Sequence, residues 1–420
     1  MRILCRTAWA VALLWSACAA PAARADVLPT GPLTFWNDRV IISGDFSITF
    51  GSNDNGFFNL LDYDHSVLRL VRVGVAAEVR ATRRLTVLMS VIDEAPIMPD
   101  EFVRNRNVFR PYGLYVRYKP WLNRAFTIQA GRIPPVFGTF GRQDYATGNP
   151  LIGWPLAYQY PTALRSDAVP RDARALVFYR GRGAVPSYPD SVWPTSPGMP
   201  MAVALRWDTG VQVGWGRGPV TVSGSVTQGS LSTPRFEENN DGKQVAARVA
   251  YRPTPGWRTG VSVSRGAYLP DSVIAQLPVG QRDRSFVQTA YGVDAEYSRD
   301  NWVLKVETMT SRWSVPSIGA QPLPDHLTAW TAMVEGRLKL SPRWSLAGRA
   351  EHMGFSKVPI QDSRWPARVA WDAPLSRTEM ALGYALTRNM RLKASYQYNW
   401  RDTGYRRRAG LAGGQIAYWF

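Results

Sequence analysis

The chain has 420 residues and a formal net charge of +18, and both of its cysteines, Cys5 and Cys18, lie near its beginning. Beyond residue 25 no apolar run approaches the roughly 18 residues that a membrane helix needs, yet aromatics make up 12% of the chain, with 17 Trp and 18 Tyr. A helical membrane protein is excluded, and once the leading segment is removed so are disulfides, thiolate metal sites and cysteine nucleophiles.

Arg2 and Arg6 precede an apolar stretch from about Ala8 to Ala20, followed by the small-x-small pattern Ala23-Arg24-Ala25. This is the layout of a secretory signal peptide over 1–25, cut after Ala25. Cys18 does not read as a lipoprotein cysteine, because Trp15 stands where such sites want a small aliphatic residue. The mature chain, 26–420, carries no Ser/Gly linker and reads as one domain with a charge of +15, since Arg2, Arg6 and Arg24 are lost.

From Val40 to Phe50 the residues Val40, Ile42, Phe46, Ile48 and Phe50 share one face, while Ser43, Asp45, Ser47 and Thr49 share the other. Strict period two predicts a strand. The pattern recurs at 67–80, 84–92, 110–119, 125–132, 202–216, 219–230, 242–252, 257–268, 287–298, 301–312, 327–340, 343–355, 376–387, 389–401 and 411–420, sixteen stretches in all. Tight links such as 81–83, 299–300 and 387–389 alternate with longer ones such as 51–65, 93–109 and 356–375. Sixteen alternating strands with short turns at one end and long loops at the other predict an all-β, transmembrane antiparallel barrel of a bacterial outer membrane. A soluble sandwich or propeller explains neither the two-length rhythm nor an apolar face on every strand. The segment "ALVFY" at 175–179 is a further strand candidate, and pairing with 183–200 would raise the count to eighteen.

The final residues, "GGQIAYWF", still alternate. In a closed barrel the last strand pairs with the first, so Ile416, Tyr418 and Phe420 are expected to face lipid. This ending looks like the C-terminal signal that the barrel-assembly machinery of outer-membrane proteins reads.

The longest link, 133–201, follows the fifth strand and is aromatic enough to pack. A sixteen-stranded wall encloses a lumen wider than its own side chains fill, so the loop is expected to fold inward, as a constriction or as a plug. The segments "GRIPPVFGTFGRQDY" (131–145), "NPLIGWPLAYQYPTALRSDAVP" (149–170) and "RWDTGVQVGWG" (206–216) resemble the phosphate-selective porin-like proteins of Gram-negative bacteria. The resemblance implies a homotrimer with passive flow of small solutes. The loop departs from that family's phosphate channels in having no lysine between Ile133 and Pro200, which leaves phosphate itself in question.

Strand parity places Arg72, Arg117 and Arg132 on the inner wall, with Arg142, Arg165, Arg171 and Arg174 on the loop. Rings of arginine favour anions in a pore, so these seven are the candidate constriction. The competing reading pairs Arg165 and Arg171 with Asp167 and Asp172 to pin the loop. Other inward charges fall at period-two neighbours, Lys305 with Glu307, Glu335 with Arg337 and Arg349 with Glu351, where they cancel in place. Basic residues at the strand ends suit lipopolysaccharide phosphates rather than nucleic acid. His65, His326 and His352 are scattered, without a Ser-His or metal-ligand spacing, so no cofactor, metal or enzymatic activity is expected. The functional expectation is a diffusion porin preferring small anions; a structural or adhesive barrel with a plugged lumen is the alternative.

Overall fold

The computed structural model describes residues 28–62, 65–96, 108–139, 146–183, 187–188, 198–203, 207–282, 285–316, 318–319, 322–362, 364 and 366–420. The expected signal peptide lies outside them. Sixteen strands form the wall: β1 Val40–Gly51, β2 Leu70–Arg80, β3 Leu85–Pro96, β4 Val108–Tyr118, β5 Ala125–Ile133, β6 Asp208–Arg217, β7 Val220–Thr227, β8 Gln244–Thr254, β9 Trp257–Ala267, β10 Val287–Arg299, β11 Trp302–Ser314, β12 His326–Lys339, β13 Trp344–Phe355, β14 Leu375–Thr387, β15 Met390–Arg401 and β16 Arg408–Trp419. Each predicted stretch overlaps one of them. The largest boundary shift is at β6, whose predicted opening residue Ala202 is instead buried in the loop.

Every neighbouring pair is antiparallel, and the sheet closes on itself. At the seam Phe46 pairs with Tyr418 and Ile48 with Ile416, and Gly44 and Phe420 exchange two backbone hydrogen bonds of 3.1 and 3.0 Å. Closure leaves no unpaired edge, which a lipid environment would not tolerate. A Cβ on Gly44 would collide with the ring of Phe420. Gly44→Val is therefore expected to cost about 1–3 kcal/mol through overpacking at the seam. The check is a lower yield of the heat-resistant folded band in refolding assays, with a surface control such as Thr308→Ser unchanged.

Sidedness follows the alternation. On β11, Trp302, Leu304 and Val306 point outward and are 58%, 44% and 38% exposed, while Lys305, Glu307 and Met309 point inward. The outward face carries the same apolar character around the barrel, through Val261, Val293, Val334 and Leu382. Trp257 and Tyr297 stack at 5.6 Å and Trp344 and Tyr384 at 4.6 Å near the short turns, while Tyr291, Trp330, Tyr398 and Trp400 lie exposed toward the long loops. An apolar band between two aromatic girdles is how a barrel meets a bilayer. Among the described residues no helix is long and apolar enough to cross a membrane.

The strand count stays at sixteen. β5 pairs directly with β6, from Ala125 opposite Gly216 to Ile133 opposite Asp208, so nothing from the long loop enters the wall. Most of "ALVFY" is helical instead, within α2, Ala173–Phe178, after a shorter helix α1 at Leu156–Gln159. The reason is local: the Asp172 carboxylate accepts from the Ala175 N–H and caps the helix.

Toward the long-loop end the interior is apolar. Wall residues Met309, Trp313, Leu327, Met353, Phe355, Leu375 and Leu411 pack against Ile152, Trp154, Leu156, Tyr160, Leu164, Leu176 and Met201 of the long loop. Other connections enter as well, through Phe58 and Leu68, through Leu269 and Leu277, and through Val358, Ile360 and Trp371. Trp371 is wholly buried, edge-on to Trp313 and Phe355 at 6.1 and 4.8 Å, and its indole N–H donates to the Thr328 carbonyl at 2.8 Å. Each such large side chain contributes about 1.5–3 kcal/mol by burial. The barrel thus has two apolar phases, one facing lipid and one facing inward at its long-loop end.

Candidate functional site: a strapped lumen above a basic vestibule

Cross-strand register, invisible along any single strand, arranges the inner charges into rows. One row runs Arg258, Glu296, Lys305, Glu335, Arg349, Glu379 and Gln397, each opposite the next on β9 to β15. The signs alternate and the row sums to zero. Arg349, at its centre, is completely buried and reaches Glu335 at 3.3 Å, Glu351 at 3.3 Å and Glu379 at 3.0 Å. Lys305 lies 3.8 Å from Glu335. The expected cancellation of wall charges therefore runs chiefly across strands. Arg349 with Glu351 pairs along its strand as well, whereas Arg337 has no ion pair among the described residues.

This network holds the segment 146–160 of the long loop against the wall. The Glu379 carboxylate accepts from the N–H groups of Ile152 and Gly153 at 3.2 and 2.8 Å, and Glu351 accepts from Leu156 at 2.7 Å. Arg349 and Arg377 donate in the other direction, to the carbonyls of Gly153 and Trp154 at 2.9 and 3.0 Å. The Lys393 ammonium donates to the carbonyls of Ala146, Asn149 and Leu151 at 2.6, 2.7 and 3.1 Å. Gly153 is required at this approach, since a Cβ there would collide with Glu379 Oε2. Farther round the wall, Glu307 accepts from the Thr139 N–H at 3.0 Å and the Tyr158 hydroxyl at 2.9 Å. Burial and the neighbouring carboxylate hold the Tyr158 phenol well above its usual range, so it stays a donor. Charges buried in this way are held by pairing and by backbone hydrogen bonds.

The candidate arginines do not converge. Arg72 is on the inner wall, buried, with Nε 3.7 Å from Glu94 on the adjacent strand. Arg117 is also inward and half-buried, donating to the Tyr115 hydroxyl at 3.2 Å. Arg132 is not inward. It pairs with Leu114 and Thr209 on the outer face, donates to the Trp207 carbonyl at 2.9 Å and lies over the Phe236 ring. Its parity is that of Phe126 and Ile128 on the same strand, which stand opposite the exposed Trp215 and Val213. Arg142 lies outside the described residues. Arg165 is buried in a bidentate pair with Asp167, at 2.8 and 2.7 Å, which is the pinning role weighed for it. Arg171 is exposed at the loop end of the barrel, where its carbonyl accepts from Gly319, and Arg174 lies 3.3 Å from Asp362.

Below the strap, toward the short turns, the lumen opens. A cavity of about 320 Å³ is lined by Gly148 and Pro150 of the loop and by Glu296, Ser298, Val303, Lys305, Glu335 and Arg337 of the wall. Arg337 and Lys339 on β12 and Arg391 on β15 face inward at this level. Between them the wall is made of small residues, Ser345 and Ala347 on β13 and Gly383 and Ala385 on β14. Arg391 stacks on Trp419 at 5.7 Å, and Arg337 is the neighbouring charge that bears on it. None of the three has an acidic partner within 4 Å among the described residues. Strand parity alone turns them inward, but which basic residues lack an acidic partner depends on cross-strand register.

Arg401 and the connection 52–62 were missed altogether. Arg401 donates to the Gly56 carbonyl at 2.6 Å and lies 4.3 Å from the Phe58 ring centre, so a second loop is drawn inward. The apolar cluster Phe57, Phe58, Leu60 and Leu61 inside the link was the available signal. His326 and His352 sit on the outward face, His352 against Trp330 and 2.6 Å from the Ser376 hydroxyl.

Solved structures similar to this chain are barrels of the same kind. OmpF of Salmonella typhi, in complex with daunomycin, superposes with a TM-score of 0.54 at 12% identity, covering 92% of this chain and 100% of that one. An anion-selective porin from Comamonas acidovorans gives 0.53 at 9% identity, covering 91% and 99%. The outer-membrane channel DcaP of Acinetobacter baumannii gives 0.51 at 11% identity, covering 93% and 100%. No protein-family model matches the sequence, and no curated protein matches it. At these identities the likeness is one of fold. The chain has the fold of the outer-membrane porins, and with its lipid-facing belt it is a protein of the bacterial outer membrane.

Proposed function

We propose that the protein is a diffusion porin for small hydrophilic solutes that prefers small anions, phosphate or organic acids among them. The observation that carries this reading is the vestibule. The charges of the strap network largely cancel, whereas Arg337, Lys339 and Arg391 face inward at the short-turn end with no acid in ion-pair reach among the described residues, Arg337 bordering the cavity of about 320 Å³, and confinement strengthens their field. The preference is then set below the strap rather than by the loop arginines. A homotrimer, contacts with lipopolysaccharide and recognition of Ile416, Tyr418 and Phe420 by the barrel-assembly machinery belong to the same reading.

A second reading has support of its own. The apolar filling of the long-loop half is what a structural or adhesive barrel with a plugged lumen requires. Reconstitution in a planar bilayer under a KCl gradient separates the two. Open steps with an anion-selective reversal potential are expected. A cation-selective reversal would end the selectivity claim, and a silent bilayer would leave the plugged barrel in its place.

A further inference from the structure

The outward face holds a charged row that neither the lumen nor the seam uses. Arg265 on β9 stands opposite Thr289 on β10, which stands opposite Arg312 on β11. All three point away from the lumen, since Val263 and Tyr291 two residues deeper are 40% and 58% exposed on the lipid face. Arg265 donates to the Thr289 hydroxyl at 3.4 Å. Neither arginine has an ion-pair partner among the described residues.

Its height on the wall is set by the aromatic girdles. Along β11, Trp302 belongs to the short-turn girdle, and Thr310 stands level with Tyr291 in the opposite one. The eight residue steps from one to the other span about 27 Å along the strand at ~3.4 Å per residue. Tilt brings that close to the ~25 Å height of an apolar band. Arg312 lies one outward step beyond. Two cations on the lipid face are costly within the hydrocarbon and nearly free at its edge, and there they meet headgroups. With ~4.8 Å between strands, their Cα atoms are about 10 Å apart, with a hydroxyl midway. Guanidinium forks match phosphate oxygens bidentately, and the hydroxyl can donate to a third oxygen. The nearest acid on β12's approach, Asp325, lies beside His326 at the rim.

We propose that Arg265, Thr289 and Arg312 form a binding site for the phosphate group of a membrane lipid in the leaflet that meets the long loops. The site rests on the lipopolysaccharide contacts of the proposed function and names the residues that make them; it needs only the barrel and its orientation, so it stands or falls apart from conductance. The test is native mass spectrometry of the full-length protein released from vesicles of phosphatidylcholine doped with lipid A or with its dephosphorylated form. The wild type should retain lipid A and not the dephosphorylated lipid. Arg265→Gln with Arg312→Gln should lower retention by about tenfold or more, the loss expected for removing two charge-assisted contacts, and Arg265→Lys with Arg312→Lys should keep most of it. Equal retention by the glutamine pair, or equal binding of the dephosphorylated lipid, would overturn the proposal. Should the glutamine pair fail to fold, Thr289→Val on the same readout decides it, with a loss of severalfold expected and no loss counting against. Inorganic phosphate added at millimolar concentration should not displace the lipid; displacement would assign the site to free phosphate instead.

Discussion

Replacing Arg349 by methionine should release the strap and destabilise the barrel by about 3–5 kcal/mol, the usual consequence of removing one member from a buried ion network. Arg349 is the common partner of Glu335, Glu351 and Glu379. Without it, several carboxylates are left inside the wall with too few cations, and the Gly153 carbonyl loses a donor. The unfolding midpoint should fall in urea or on heating. In a planar bilayer the mean open-state conductance should rise and become noisier, because segment 146–160 would no longer be held against β13 to β15. Glu379→Gln is the milder counterpart: its carbonyl oxygen can still accept from Ile152 and Gly153, so the strap should hold. If both variants conducted like the wild type, segment 146–160 would not be what narrows the lumen.

The second large effect concerns charge. Substituting Arg337, Lys339 and Arg391 together by glutamine should abolish the anion preference, moving the reversal potential under a KCl gradient toward zero, while Arg171→Gln with Arg174→Gln should leave it nearly unchanged. The reasoning is one of compensation. Arg174 has Asp362 beside it at the exposed loop end, whereas Arg337, Lys339 and Arg391 face inward with no acid within ion-pair distance among the described residues, and Arg337 borders the lumen cavity. Raising ionic strength should narrow the difference, since screening shortens to about 3 Å at 1 M salt. A shift produced by the loop pair and not by the vestibule triple would return selectivity to the loop.

The barrel was legible in the sequence because its rule is local. Period-two alternation needs no knowledge of partners, and from Val40 to Phe50 or Trp302 to Arg312 the lipid face can be read residue by residue. The helix at 173–178 was not, because the β-prone run Val177, Phe178 and Tyr179 outweighs a single capping aspartate when both are read by propensity alone. The site was harder still. Whether Arg349 is a selectivity filter or a clamp depends on Glu335 and Glu379, which lie on other strands and become neighbours only through register. The inward apolar residues Met309, Trp313, Met353 and Phe355 were a usable clue that had gone unused: on strands whose other face meets lipid, they require protein, not water, inside.

That filling has a mechanical consequence. A hollow cylinder under the lateral pressure of a bilayer can flatten to an oval with little resistance, since only hinge-like changes between strands oppose it. Close-packed side chains resist compression much as an organic crystal does, so the end of the barrel occupied by Trp313, Trp371 and their neighbours should keep a round cross-section. Any ovalisation would then be confined to the opposite rim, where Arg337 and Arg391 stand three strands apart on the wall with only small side chains between them.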